Sequence, residues 1–152
     1  MIRFFVPGEP VAQGRPRMTT VCGHPTAYDP AKSRDYKQMA RVFAQEAVQG
    51  KPLLDEAVAL KVVVLRSIPR SFSKKKQKAC QNGAICPTSK PDLDNFLKAI
   101  KDAMTGVVWR DDSLVVEYLG CKKIYSITPG IRVWVWTMAE INAFRAKESK
   151  NG

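Results

Sequence analysis

The chain is short of negative charge. Fourteen Asp and Glu stand against twenty-five Lys and Arg, a formal net charge of +11 and a pI near 9.7. An excess of that size describes the partner, and nucleic acid is the commonest polyanion to meet it. Long hydrophobic runs are also missing. The longest apolar stretches, Val62–Leu65 and Val133–Trp136, are strand-length and far below the roughly 20 residues that cross a bilayer. The basic runs lack the bulky apolar anchors of a membrane-surface helix, and no membrane partner is expected. No charged region leads into an apolar core after Met1, so no secretion signal is read there. Cysteine is sparse: Cys22, Cys80, Cys86 and Cys121 do not make a disulfide scaffold, and a reduced, cytoplasmic setting is expected. Zinc fares no better, because Cys22-x-His24 with Cys80 and Cys86 matches no common finger spacing. Repeats, low-complexity segments and linkers are absent, and residues 1–152 read as one domain.

What is present reads as an alternation of elements. Ile2–Val6 is expected to be a strand stopped by Pro7-Gly8. Residues 8–28, with Pro10, Pro16, Pro25 and three glycines, are expected to form a long basic loop or arm. Asp29-Pro30 has the form of a helix start, with Asp29 as cap, and Gly50 ends that helix. Val58–Ile68 fits a core strand, and Ser73 caps a short helix reaching Asn82-Gly83. A second major helix is expected from about Asp94 to Thr105. Val115–Tyr125 and Ile131–Met138 then read as two strands of a hairpin turning at Thr128-Pro129-Gly130. The tail from Ala139, residues 139–152, is expected to add a short helix before fraying. This order predicts an α+β fold, a mixed or antiparallel sheet packed with helices.

The densest chemistry lies in Lys90-Pro91-Asp92-Leu93-Asp94-Asn95-Phe96-Leu97-Lys98 and in the later pair Asp111-Asp112. Pro91 biases Lys90 toward extended backbone. If the extension continues, Asp92 and Asp94 face the same side. Adjacent unpaired carboxylates repel, and a divalent cation removes that penalty; hard oxygen ligands suit Mg²⁺, with Mn²⁺ as a substitute. Lys98, four residues after Asp94, shares its helical face and is placed to hold a phosphate. Asp102, one turn further, is positioned to pair with Lys98. A third carboxylate from Asp111 or Asp112 would complete the metal site. Acids in a first helical turn also simply favour the helix dipole, which is the plainer explanation of Asp92 and Asp94.

Candidate DNA contacts are Arg15 and Arg17 in the arm, Lys74, Lys75 and Lys76 on the short helix, and Lys90 beside the acids. Lys122 and Lys123 are weaker candidates. Trp134 and Trp136 share one strand face, which favours core or dimer packing over base stacking.

These segments resemble the RusA family of Holliday junction resolvases. The resemblance rests on Lys90–Lys98 with Asp102 and on Trp109-Arg110-Asp111-Asp112-Ser113-Leu114-Val115-Val116-Glu117-Tyr118. Val6–Arg17 and Ser71–Lys76 also resemble segments of its phage and prophage members. The resemblance spans Arg3 to about Met138. It implies catalytic acids at Asp92, Asp94 and Asp112 and a functional lysine at Lys98. It further implies a homodimer that binds four-way DNA junctions and, with Mg²⁺, cuts two strands of like polarity. A short connection from Gly106 to Arg110 leaves open whether Asp111 or Asp112 faces the metal, and the cleavage sequence preference does not carry over. Two alternatives stay in view: a DNA-binding protein without cleavage, and a nuclease for flaps or forks. The expected dimer interface is the last sheet edge, around Val133, Trp134, Val135 and Trp136.

Overall fold

In the computed structural model, which describes residues 1–151, one long strand organises everything else. Strand β4 (Val58–Ser67) is buried along nearly its whole length, on both faces. A near-continuous apolar run of that kind belongs in the middle of a sheet. On one side β4 pairs antiparallel with β7 (Gly130–Thr137), which in turn pairs antiparallel with β1 (Ile2–Pro7). On its other side β4 is parallel to two short strands, β5 (Val115–Tyr118) and then β6 (Lys122–Ser126). The fold is α+β with a mixed sheet, as the element order predicts.

Two of the expected strand assignments are corrected. Val115–Tyr125 is not one strand: it breaks at Leu119-Gly120-Cys121, where Gly120 has φ +62°. Cys121 fills the gap, its Sγ accepting from the Val62 amide at 3.3 Å, so β4 changes partners without an orphaned donor. Nor do β6 and β7 form a hairpin. They lie on opposite sides of β4, because a hairpin would leave that buried strand with an unpaired edge. The expected dimer edge falls with it: β7 is interior, and Val133 and Val135 point into the core.

Helices α1 (Ala31–Val48) and α3 (Leu93–Met104) pack on one face of the sheet. From α1 come Tyr36, Ala40, Ala44 and Val48, four residues apart; from α3 come Phe96, Leu97, Ile100, Ala103 and Met104. They meet Val58, Leu60, Val62 and Val64 of β4 and Ile131, Val133 and Val135 of β7. Asp29 does not cap α1. Pro30 holds the N-cap position without a side-chain bond, and Asp29 turns to Lys37 and Gln13 instead. Helix α2 (Lys74–Gln81) is capped by Ser73 as expected. The tail forms α4 (Met138–Asn151), which lies against Trp136 and Leu119 over an apolar cavity of about 490 Å³. Among the described residues no helix is long and apolar enough to cross a membrane.

The arm is only partly a loop. Arg17–Val21 (β2) and His24–Tyr28 (β3) pair as a two-stranded ribbon, all of whose residues are exposed. Its turn, Cys22-Gly23, has φ of 50° and 78°, the double-positive geometry that matches strand twist.

Candidate active site

The apolar period of α3 decides where its charges go. With Phe96, Leu97 and Ile100 buried, Asp94 and Lys98 are left exposed on the outer surface, one turn apart. Asp92 is the N-cap residue, in extended backbone (φ −68°, ψ 155°), yet its carboxylate makes no capping bond. The extended Asp92–Asp94 geometry expected from the sequence is therefore only half right. Asp94 is already helical, and the two acids are gathered by the helix start rather than by a strand face. Both point to solvent at the positive end of the α3 dipole.

The approach to Asp92 is held by a lysine. Lys123 on β6 donates from Nζ to the carbonyls of Ser89 (2.9 Å) and Pro91 (3.0 Å), across a segment whose Lys90–Pro91 bond is cis. Arg66, at the end of β4, donates from Nε to Glu9 at 2.9 Å and lies 5.6 Å from the Phe96 ring centroid. The α3 start thus sits between Arg66, near the carboxyl end of β4, and Lys123, near the start of β6. Sequence reading ranked Lys123 low and did not single out Arg66. Strand alternation was the available signal, since it turns Lys123 and Tyr125 toward the helix layer.

The arm completes one wall. The Gln13 amide donates to the Asn95 carbonyl at 3.1 Å, and the Gly14 amide to Ser33 Oγ at 3.1 Å. A Cβ on Gly14 would meet Pro30 Cγ at 2.9 Å, so only glycine lets the arm lie this close to α1. A cleft of about 480 Å³ opens between arm and helices, lined by Gln13, Arg17, Lys32, Arg66 and Pro91 among others. Gln13 Oε1 and Arg66 Nη1 are buried in its walls without a hydrogen-bond partner. Arg15 is exposed just outside the cleft, and Lys90 is exposed beside Asp92. Lys74 and Lys75 line a separate hollow on α2, while Lys76 Nζ lies 3.8 Å from the Phe72 ring centroid; the α2 lysines are not part of this cleft.

The second acidic segment returns to the flank of α3 because Val107, Val108 and Trp109 plug back into the core. The indole of Trp109 donates to Thr105 Oγ1 at 3.2 Å, and Leu54 pairs with this segment through its amide and carbonyl. Asp111 is occupied: its carboxylate accepts from the Ser113 amide at 2.8 Å, capping a single 3-10 turn, and those bonds hold its pKa down. Asp112 instead faces Lys101 of α3, with Oδ2 3.8 Å from Nζ. Burial works to lower the Lys101 pKa, but bonding to Tyr118 and the charges of Asp112 and Asp102 raise it overall, keeping the ammonium charged. Asp102 does not pair with Lys98 as expected. Its carboxylate is 3.7 Å from Lys37, which reaches it from α1.

Among the described residues no three of His, Cys, Asp and Glu converge tightly enough to cage an ion. The donors offered here are exposed carboxylates only. That set suits Mg²⁺, which keeps several waters and is usually held by one or two carboxylates together with substrate phosphate.

The family model for the endodeoxyribonuclease RusA matches residues 7–136, a span that contains the arm, the α3 start and the returning acidic segment. The chain belongs to the RusA endodeoxyribonuclease family. It is also 40% identical over 136 residues to the Bacillus subtilis (strain 168) protein YqaN, itself uncharacterized, covering 88% of this chain and 94% of that one.

Proposed function

We propose that this RusA-family protein is a Mg²⁺-dependent endonuclease that resolves four-way DNA junctions by paired cuts as a homodimer. The observation that carries the reading is the α3 start. Two exposed carboxylates with no capping or ion-pair partner, Asp94 one turn before Lys98, follow directly on Pro91, which lines a cleft with Arg17, Lys32 and Arg66. A basic protein gains nothing in plain DNA binding from acids placed against phosphate.

In this reading Asp92 and Asp94 would hold the metal, with Asp112, which faces Lys101, as the third carboxylate. Asp112 is favoured over Asp111 because Asp111 is already engaged in capping. A bound divalent ion would supply Lewis-acid polarisation of the phosphate and a more acidic water. Lys98 stabilises charge developing on the phosphate oxygens, and Arg17 and Lys90 position the flanking backbone. Arg15, Lys74, Lys75 and Lys76 extend the basic track for the arms of the junction. Mn²⁺ should substitute, and a bacterial or prophage cytoplasm is where such an enzyme would meet branched DNA. A junction presents two scissile phosphates related by a two-fold axis, and one chain carries one acidic cluster; paired cuts therefore call for two symmetric copies.

The deciding assay is incubation with a labelled four-way junction, a flap, a fork and matched duplex, with Mg²⁺ and with EDTA. Symmetric nicks on the junction, lost in EDTA, support the reading. Preferential cutting of flaps or forks moves the substrate, and binding without any cutting reduces the protein to a DNA binder.

A further inference from the structure

Only one face of the sheet is covered by α1 and α3. On the other no helix lies over the centre, and although Ala59, Val63 and Leu65 of β4 are buried there, strand alternation places four cations around them: Arg3 of β1, Arg132 of β7, Lys61 of β4 and Lys122 of β6, of which Arg3, Arg132 and Lys122 are exposed. The register sets them in two rows. Arg3 and Lys61 flank Trp134 in one; Arg132 and Lys122 flank Val63 in the next, with Phe5 beyond Arg132. With neighbouring strands about 4.8 Å apart, the two cations in a row stand about 10 Å from each other. Helix α4 reaches only the far end of this face, at Trp136.

None of the four cations has a carboxylate partner among the described residues. Lys61 lies instead 5.3 Å from the Trp134 ring centroid. The acids at the α4 end are already taken, Glu117 by Arg145 and Glu140 by the N-terminal amine. Arg3, Phe5, Arg132 and Trp134 wall a shallow hollow of about 280 Å³. An open sheet face normally invites a second copy of the chain, but here a two-fold mate would set these cations against their own images, and like charges across an interface cost several kcal/mol. A phosphate backbone reverses the sign of that term and releases its counterions on contact.

We propose that this open face is a second DNA-binding surface, taking the phosphate backbone of a duplex arm on the side of the sheet away from Asp92 and Asp94. The inference rests on the reading of the protein as a DNA-processing enzyme, though not on cleavage itself. With basic surfaces on both sides of its sheet, one protomer grips two helices at once, which a branched substrate supplies and a linear duplex does not.

The test compares wild type with Arg3→Gln/Lys122→Gln/Arg132→Gln, keeping Lys61 because it packs on Trp134. A charge-matched control carries Lys51→Gln/Lys147→Gln/Lys150→Gln. Anisotropy with a labelled four-way junction is read in EDTA from 50 to 200 mM salt. Each lost phosphate contact should flatten the log–log salt slope by about 0.9, so the triple variant should lose about 2 to 3 units of slope and roughly 10- to 100-fold in affinity at low salt, while the control changes little. If the triple variant melts early, Arg3→Gln/Lys122→Gln, both at exposed positions, should show about two thirds of the effect. An unchanged slope in a folded variant, or an equal loss in the control, overturns the proposal. So does a variant whose sedimentation shifts between monomer and dimer without a change of slope, because the face then belongs to a second copy. Wild-type cleavage of a saturated junction is untouched by any of these results, so the proposed activity stands or falls separately.

Discussion

Replacing Lys123 with methionine keeps the length and apolar stem of the side chain and removes two hydrogen bonds from the segment that leads into Asp92. The bond to the Pro91 carbonyl is partly buried and the one to Ser89 is exposed. Bonds from a charged donor contribute roughly 1.5–3 kcal/mol when buried and less in water, so the pair together orders this segment by about 2 kcal/mol. At 1.4 kcal/mol per factor of ten, losing that order lowers the population with Asp92 in place by up to about 30-fold. Single-turnover cleavage of a four-way junction under saturating Mg²⁺ should fall by that factor. Junction affinity in EDTA should stay within about threefold, since one cation in twenty-five is lost. Lys123→Arg, which retains donors, should recover much of the rate. A Lys123→Met variant that cuts within twofold of wild type would show that the staple does not position the acid, whatever its contribution to stability.

Asp92→Asn and Asp94→Asn should each lower cleavage by at least about a hundredfold while junction binding in EDTA holds or tightens, because a negative charge beside phosphate has been removed; gel-shift and cleavage assays on one preparation separate the two. Arg41→Met removes a guanidinium that donates to the Thr105 carbonyl at 2.9 Å and the Ala103 carbonyl at 3.4 Å at the end of α3. The loss should cost about 2 kcal/mol and some 4–8 °C of melting temperature, and a calorimetric shift under 1 °C would rule out that capping role. The bond from Lys37 holds the Asp29 pKa below its usual 3.8. A depressed folded pKa stabilises above the unfolded value and loses that contribution as pH falls through the folded one. The melting deficit of Asp29→Asn relative to wild type should therefore be clear at pH 6 and shrink below about pH 4; a deficit that persists unchanged at pH 3 would refute the linkage.

The elements that the sequence made legible are those whose evidence is local. Ser73 before a lysine-rich turn, the apolar period of α3, and the valine run of β4 each announce their own structure within a dozen residues. Pairing partners are not local. Nothing between Val115 and Tyr125 states that β4 accepts β5 for three residues and β6 for the next five, except that Gly120 permits the break. The apolar run of β4 held the better clue: a strand that buries both faces needs neighbours on both edges, which rules out a terminal hairpin beside it. The same gap governs the site. Asp92, Asp94 and Lys98 were readable as a motif, but Lys123 is a full strand away and becomes visible only once β6 is known to lie parallel to β4. Asp29 was misread as a cap because Lys37, two turns on, competes for it.

The pairing of β1 with β7 bears on how the chain is made. Among the described residues the first strand finds its only strand partner in the last, Ile2 opposite Val135. At translation rates of 5–20 residues per second, β1 waits roughly 7–25 seconds on the ribosome before its partner exists. Until then Phe4 and Val6 emerge as an unpaired apolar edge. A message truncated anywhere before the codons of β7 yields a product in which β1 and one edge of β4 both lack their partner, a ready substrate for chaperones and proteases.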